Sequence, residues 1–315
     1  MKVNLLFAVI LIFCGLPLFA QQKFIAVTID DLPTVTYSES DSTYQQQLTQ
    51  RLLDAMKEFD IPGIGFVNEG KLFKDGKHIP YQKEMLRQWT DAGFELGNHT
   101  YSHMDYNDNS MKHFGQNVIQ GEQVTRKIML SAGMKLRYFR HPYLHVGNTK
   151  ERYDSLNAFL REHHYTTAPV TIDNEDYVFA AAYQPAKDNH NLMLGTDIIT
   201  DYINYMEAKL VFYENQSQKL FGRNINHILL IHANALNSDC LGALASMIKR
   251  NGYEFVSLEK ALQDPAYQTP VTVFGKWGIS WIDRWAMSQG KKGEFFVGEP
   301  ETPEYIKTLA AGKPK

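Results

Sequence analysis

Apolar positions along this chain fall into two alternating periods. Short, nearly continuous apolar runs rich in β-branched residues, Phe24-Ile25-Ala26-Val27-Thr28-Ile29 first among them, read as strands buried on both faces. Between such runs lie stretches with apolar residues three and four apart. Leu48, Leu52, Leu53, Met56 and Phe59 mark one face of a helix over 44–59. The pattern predicts strands at 24–29, 64–67, 94–96, 138–139, 166–172, 227–231 and 253–256, and helices at 44–59, 80–92, 111–132, 149–164, 197–221, 239–250 and 258–262. Gly93 and Gly133 are read as helix stops, and 180–194 shows no clear period. Strands that alternate with helices predict parallel pairing, in an open doubly wound sheet or a barrel.

In either architecture chemistry collects at the carboxyl ends of the strands. Asp30, Asp31, His99, His103, Arg140, Asp173, Asp176 and His232 all follow predicted strands, which scattered surface residues would not do. His99 and His103, four apart after a short apolar run, suit one metal ion if a turn aims both imidazoles at a point. Alone, the pair reads more readily as two surface histidines on a capped helix. A full site needs a third protein ligand and an open position.

Composition narrows the partners. A formal charge of −3 argues against nucleic acid or an anionic membrane, which call for a basic surface. Residues 1–20, with Lys2, an apolar run over 5–13 and Ala20, read as a secretory signal peptide or an uncleaved anchor. The expected location is therefore secreted or periplasmic, with no stable membrane insertion once the signal is removed. Cys240 is then the remaining cysteine, so stability must come from a core rather than an internal disulfide. Neither Gly-x-Ser-x-Gly nor Gly-x-Gly-x-x-Gly occurs, which removes the usual signals of a serine hydrolase and a dinucleotide enzyme. After Asp264, Trp277, Trp281 and Trp285 fall four apart, read as a short helix packing tryptophans on the main domain, with a sugar-stacking platform as the alternative.

Taken in order, Thr28-Ile29-Asp30-Asp31, His99-Thr100-Tyr101-Ser102-His103, Arg140-His141-Pro142-Tyr143, Asp173-Asn174-Glu175-Asp176-Tyr177 and Leu230-Ile231-His232 resemble the five motifs of the polysaccharide deacetylases, carbohydrate esterase family 4, with the NodB homology domain. The resemblance spans about residues 24–262 and implies an α/β fold, a distorted (β/α)7 barrel, in a domain over 21–264 with a C-terminal extension over 265–315. It also implies a divalent metal, usually zinc, and hydrolysis of acetyl groups on a carbohydrate polymer or oligomer, with the oligomeric state left open. Residue by residue, it implies Asp31, His99 and His103 as metal ligands and Asp30 as general base. Arg140 would hold Asp30, the Tyr143 N–H would stabilise the oxyanion, and Pro142 would restrict its turn. His232 would be the general acid tuned by Asp176, with Asp173 the second choice of partner, and Leu230 and Tyr177 would line the substrate site. Ile29, Leu32, Leu144 and Tyr177 depart from the family pattern around the presumed mouth. Two other functions stay open: a same-fold hydrolase of a non-carbohydrate amide, and a non-catalytic carbohydrate-binding protein.

Overall fold

The computed structural model describes residues 22–38 and 40–312; the signal-peptide reading of residues 1–20 lies outside them. Seven strands form one sheet, β1 (Lys23–Leu32), β2 (Ile64–Val67), β5 (Glu95–Asn98), β6 (Tyr138–Phe139), β7 (Thr166–Thr167), β8 (His227–His232) and β9 (Tyr253–Phe255). A small hairpin, β3 (Phe73–Lys74) with β4 (Lys77–His78), stands apart. Every pairing within the large sheet is parallel, in the order β7-β6-β5-β2-β1-β8. β9 takes the first residues of β1, Lys23–Ile25.

The predicted strand over 166–172 is regular for two residues only. Its continuation still works as a seam, because the Thr171 and Ile172 N–H groups donate to the Ile228 carbonyl at 3.0 and 3.1 Å and Ile172 bridges Leu229. The sheet thus curls round to meet β8, and the open doubly wound alternative is set aside. Ile25, Val27, Ile29, Leu96 and Phe139 are buried in the main apolar core, and Phe66 belongs to a second, smaller cluster with Ala26, Ile64 and Ile228.

Helices cover the outside: α1 (Ser42–Glu58), α2 (Pro80–Asp91), α3 (Met111–Gln120), α4 (Thr125–Ser131), α5 (Lys150–Glu162), α6 (Asp176–Asp188), α7 (Leu192–Phe221), α8 (Ala235–Arg250) and α9 (Leu258–Ala261). The single helix read over 111–132 is two. A Cβ on Gly121 would lie 2.5 Å from backbone atoms of both Thr100 and Tyr101, so the chain breaks where it touches the loop that carries the histidine pair. The stretch without a period, 180–194, belongs to α6 and the start of α7. Its apolar side is shared among several neighbours, α7, α8 and a C-terminal helix, so no single stripe marks it.

Beyond residue 264 the chain returns over the barrel as α10 (Trp281–Ser288) and α11 (Glu304–Ala311), which pack on α7 and α6. Trp281 and Trp285 are buried, whereas Trp277 precedes the helix and is exposed. Ser280 anchors this segment: its hydroxyl caps α10 by accepting from the Ile282 N–H at 3.2 Å and donates to the Thr171 carbonyl at 3.0 Å. Among the described residues no helix is long and apolar enough to cross a membrane.

Candidate active site

Strand register assembles the site. Parallel pairing of β1 with β8 sets Asp30 directly opposite His232. On its other side β1 pairs Ile29 with Gly65 and Leu32 with Val67, so two residues of β1 oppose one of β2. That bulge falls on Asp30-Asp31. In a regular strand consecutive side chains point to opposite faces; the bulge and the left-handed Asp31 (φ 67°) let both carboxylates face one cavity. His99 follows β5, where its N–H bonds the Val67 carbonyl at 3.0 Å, and Arg140 follows β6.

The side-chain donor atoms of Asp31, His99 and His103 all lie within 4.8 Å of one another. Asp31 Oδ1 stands 3.6 Å from His99 Nε2 and 3.7 Å from His103 Nε2, and it is buried without a hydrogen bond. His99 Nδ1 sits 2.9 Å from the Arg140 carbonyl, which assigns the proton to Nδ1 and leaves the Nε2 lone pair for a ligand. An orphaned carboxylate oxygen and two converging imidazole nitrogens fit a divalent cation with open positions. Burial first, then mutual repulsion of the rings, hold the His99 imidazole well below its ordinary range, and burial lowers His103. Neutral imidazole is the form that coordinates. Burial works to raise Asp31, but Lys71, His99, His232 and His103 outweigh it and keep the carboxyl ionised.

Asp30 is almost wholly buried, 3.7 Å from His99 Nε2 and 3.6 Å from Arg140 Nη1. Burial raises its pKa to about 6, against the pull of Arg140 and His232. Arg140 is fully buried; its Nη2 donates to Thr28 Oγ1 at 2.7 Å and its plane lies 4.8 Å from the Phe66 ring centre. Behind His232, the Asp176 carboxylate accepts from the His232 ring at 2.7 Å, the His232 N–H at 2.8 Å and Asn237 Nδ2 at 2.6 Å. Burial alone would lower His232, yet the charge and hydrogen bond of Asp176 raise it to about 9. The same partnership lowers Asp176.

The cavity these groups share measures about 1000 Å³ and is lined by Tyr143, Asp173, Tyr177 and Leu230 as well. Tyr143 is left-handed (φ 56°), packs edge-on against His103 at 4.4 Å, and its backbone N–H has no acceptor among the described residues. Asp173 lies in the cavity wall but does not bond His232; its Oδ1 accepts the neighbouring Asn174 N–H at 2.9 Å. Pro142 is buried, stands outside the cavity lining and opens the turn that presents Tyr143. Leu144, at φ 54°, holds a left-handed conformation that costs a branched side chain energy, and in which a glycine would be relaxed.

The polar loop Asn68-Glu69-Gly70-Lys71, to which the sequence alone assigns no definite role, braces this arrangement. Lys71 Nζ donates to the Asp31 carbonyl at 2.7 Å, Asn68 Nδ2 to the His99 carbonyl at 2.7 Å, and the Gly70 N–H to the Tyr101 carbonyl at 2.7 Å. The polar cluster after β2 was the one available signal. Lys209, Asp283 and Glu299 also line the cavity, from segments where no motif points to them.

Comparison with known proteins bears on the fold and the family. The family model described as "Polysaccharide deacetylase" matches residues 20–159. Over that stretch, which includes Asp30, Asp31, His99, His103 and Arg140, the chain is similar to the polysaccharide deacetylases. Among solved structures it is similar to a Bacillus anthracis protein, BA3943, described as a CE4 family pseudoenzyme, at 16% identity and TM-score 0.50, over 77% of this chain and 66% of that one. A mutant of BA3943 described as having restored enzymatic activity matches at 17% identity and TM-score 0.50, over 77% and 68%. A peptidoglycan deacetylase, PdaC from Bacillus subtilis, matches at 20% identity and TM-score 0.46, over 76% and 91%. No curated protein matches. At these identities the structural likeness shows the fold, an α/β curled parallel sheet of the CE4 type.

Proposed function

We propose that the protein is a metal-dependent hydrolase that removes acetyl groups, N-linked in the first instance, from a polysaccharide or oligosaccharide of the peptidoglycan, chitin-like or exopolysaccharide kind, outside the cytoplasm. The observation that carries this reading is the convergence of Asp31, His99 and His103 on one point with Asp30 on one side and His232 directly across in the strand register. A pseudoenzyme among the structural neighbours means that fold alone decides nothing about activity. Here each group the chemistry needs is present in a workable state.

Held by Asp31, His99 and His103, a divalent ion, zinc by its His-His-Asp donor set, would polarise the acyl carbonyl and acidify an attacking water. Asp30, desolvated and aimed by Arg140, accepts the proton of that water. The unpaired Tyr143 N–H donates to the oxyanion. His232, kept protonated by Asp176, hands its proton to the leaving amine. Leu230, Tyr177 and Tyr143 supply apolar walls for the acetyl group and sugar. The barrel over 21–264 would carry the chemistry and the segment over 265–315 would shape the mouth.

The test is acetate release from N-acetylated chitooligosaccharides, peptidoglycan, poly-N-acetylglucosamine and acetylxylan, before and after chelation and with zinc restored. Activity on at least one of the N-acetylated substrates that vanishes with chelation and returns with zinc supports the reading. Undiminished activity after thorough metal removal rejects it.

A further inference from the structure

The cavity extends past the reacting groups to a wall built by the C-terminal segment, Gly278 to Asp283 and Phe296 to Glu301, facing Tyr205, Lys209 and Tyr213 of α7. Of the carboxylates that line this end, Glu175 accepts the Thr302 hydroxyl and Glu301 lies near Lys307, which leaves Asp173, Asp283 and Glu299. Lys209, itself buried, is committed to Glu299, which also accepts the Tyr213 hydroxyl at 2.8 Å, and its ammonium lies over the Tyr205 and Tyr213 rings at 5.7 and 5.6 Å. Arg284, next to Asp283, turns away to the Leu144 and Trp277 carbonyls at 2.9 and 2.7 Å and stacks on Trp281. Asp283 is only 8% exposed, yet among the described residues its carboxylate makes no hydrogen bond and no ion pair. Asp173 accepts only its neighbour's N–H.

We propose that Asp173, Asp283 and Glu299 form a subsite for a primary ammonium group on the bound ligand, namely the free amine of an amino sugar next to the one being processed. This rests on the deacetylase reading and specifies its substrate. Asp173, Asp283 and Glu299 draw chiefly on one ammonium, that of Lys209, which is bonded to Glu299, and so many carboxylates for so little positive charge in a largely buried wall are costly. That cost shows in Asp173, lifted by burial to about 6 against the pull of Lys209, and in Asp283, lifted by burial and the charges of Glu299 and Asp173 to about 7 against Lys209 and Arg284. A second ammonium ion, held between Asp173 and Asp283, removes the cost. A neutral acetamido group offers no charge to either. The charge of His232 also acts on Asp173, so the subsite adjoins the reaction centre and is placed to read whether the neighbouring sugar is already deacetylated.

Binding can be read without turnover, by calorimetric titration of the full-length chain at about pH 7. The probes are the glucosamine disaccharide with both amines free and its fully N-acetylated counterpart. The free-amine disaccharide should bind at least about tenfold more tightly. Asp283→Asn should erase that preference, and Glu299→Gln, at a more exposed position, should weaken it and keeps the test open if the first variant does not fold. The two singly acetylated disaccharides separate the sources of the amine: a rise in kcat/KM for one isomer marks recognition of a neighbouring sugar, whereas product inhibition alone marks retention of the amine just released and overturns the neighbour assignment. Equal or weaker binding of the free amine, or a preference that survives both substitutions, overturns the subsite. A chain that releases no acetate from any substrate but prefers the amine overturns the deacetylase reading and leaves the subsite standing.

Discussion

The two ends of the cavity are built on opposite electrostatic principles. At the barrel end each carboxylate has a cation of its own: Asp30 faces Arg140, Asp176 holds His232, and Lys71 acts on Asp31. At the C-terminal end Asp173 and Asp283 have no cation bonded to them and feel chiefly the ammonium of Lys209, which is bonded to Glu299. The first arrangement prepares groups whose protonation must be right before substrate arrives. The second waits for a charge that arrives with the ligand. Both depend on removal from water, which multiplies the worth of a paired charge and the cost of an unpaired one.

The sharpest way to break this contrast is Asp30→Asn. Loss of the base should cut acetate release by about 10²–10⁴-fold while zinc content, measured by elemental analysis, stays at the wild-type level. His103→Ala should lose both the zinc and the activity. Full activity in the Asp30 variant would remove the mechanism.

Trp285→Ala addresses the other end. Trp285 is 1% exposed and sits edge-on to Phe221 and Tyr267, so its truncation should cost about 3–5 kcal/mol of unfolding free energy in urea. A near-neutral result would mean that the C-terminal wall is a detachable covering rather than part of the folded unit.

Asp176→Asn tests the preset charge on His232. We expect kcat to fall by about 10–100-fold, by analogy with loss of a residue that orients a reacting group. The pH profile should also change in a defined direction. With its pKa raised from 6.5 to about 9, His232 stays an acid across neutral pH and loses the proton as pH climbs through about 9; without Asp176 the alkaline limb should move to lower pH. The same linkage acts on folding: the pair's contribution is complete below about 6.5 and is lost as pH rises through about 9. An unmoved alkaline limb would take His232 out of the acid role.

Smallest in effect is Ser280→Ala, which removes the α10 cap and the tie to Thr171. It should cost about 1–2 kcal/mol, read as a lowered melting temperature.

Much of this molecule was legible before folding. Strands such as β1 and β8 show in the sequence because burial on both faces demands unbroken apolar runs, and residues at their carboxyl ends stand out as polar interruptions. The motif set around Asp30, Asp31, His99, His103, Arg140 and His232 is legible for the same reason. The break between α3 and α4 was not, because it depends on the distance between Gly121 and the Thr100 backbone rather than on local propensity. Nor was Lys71, whose role is to donate to a carbonyl forty residues away. Asp283 and Glu299 sit in stretches that read as ordinary polar surface.

The sequence by itself determined the element types, their order, and which residue types would gather at one end of the sheet, since these follow from local periodicity and composition. Tertiary structure decided the register that sets Asp30 against His232, the bulge that turns two adjacent aspartates to one cavity, and the fold-back that brings the C-terminal wall against α7. The physical reason is common to all three. Register, bulge geometry and long-range charge pairing are relations between segments far apart in the chain, and their energies exist only once those segments share a dry interior.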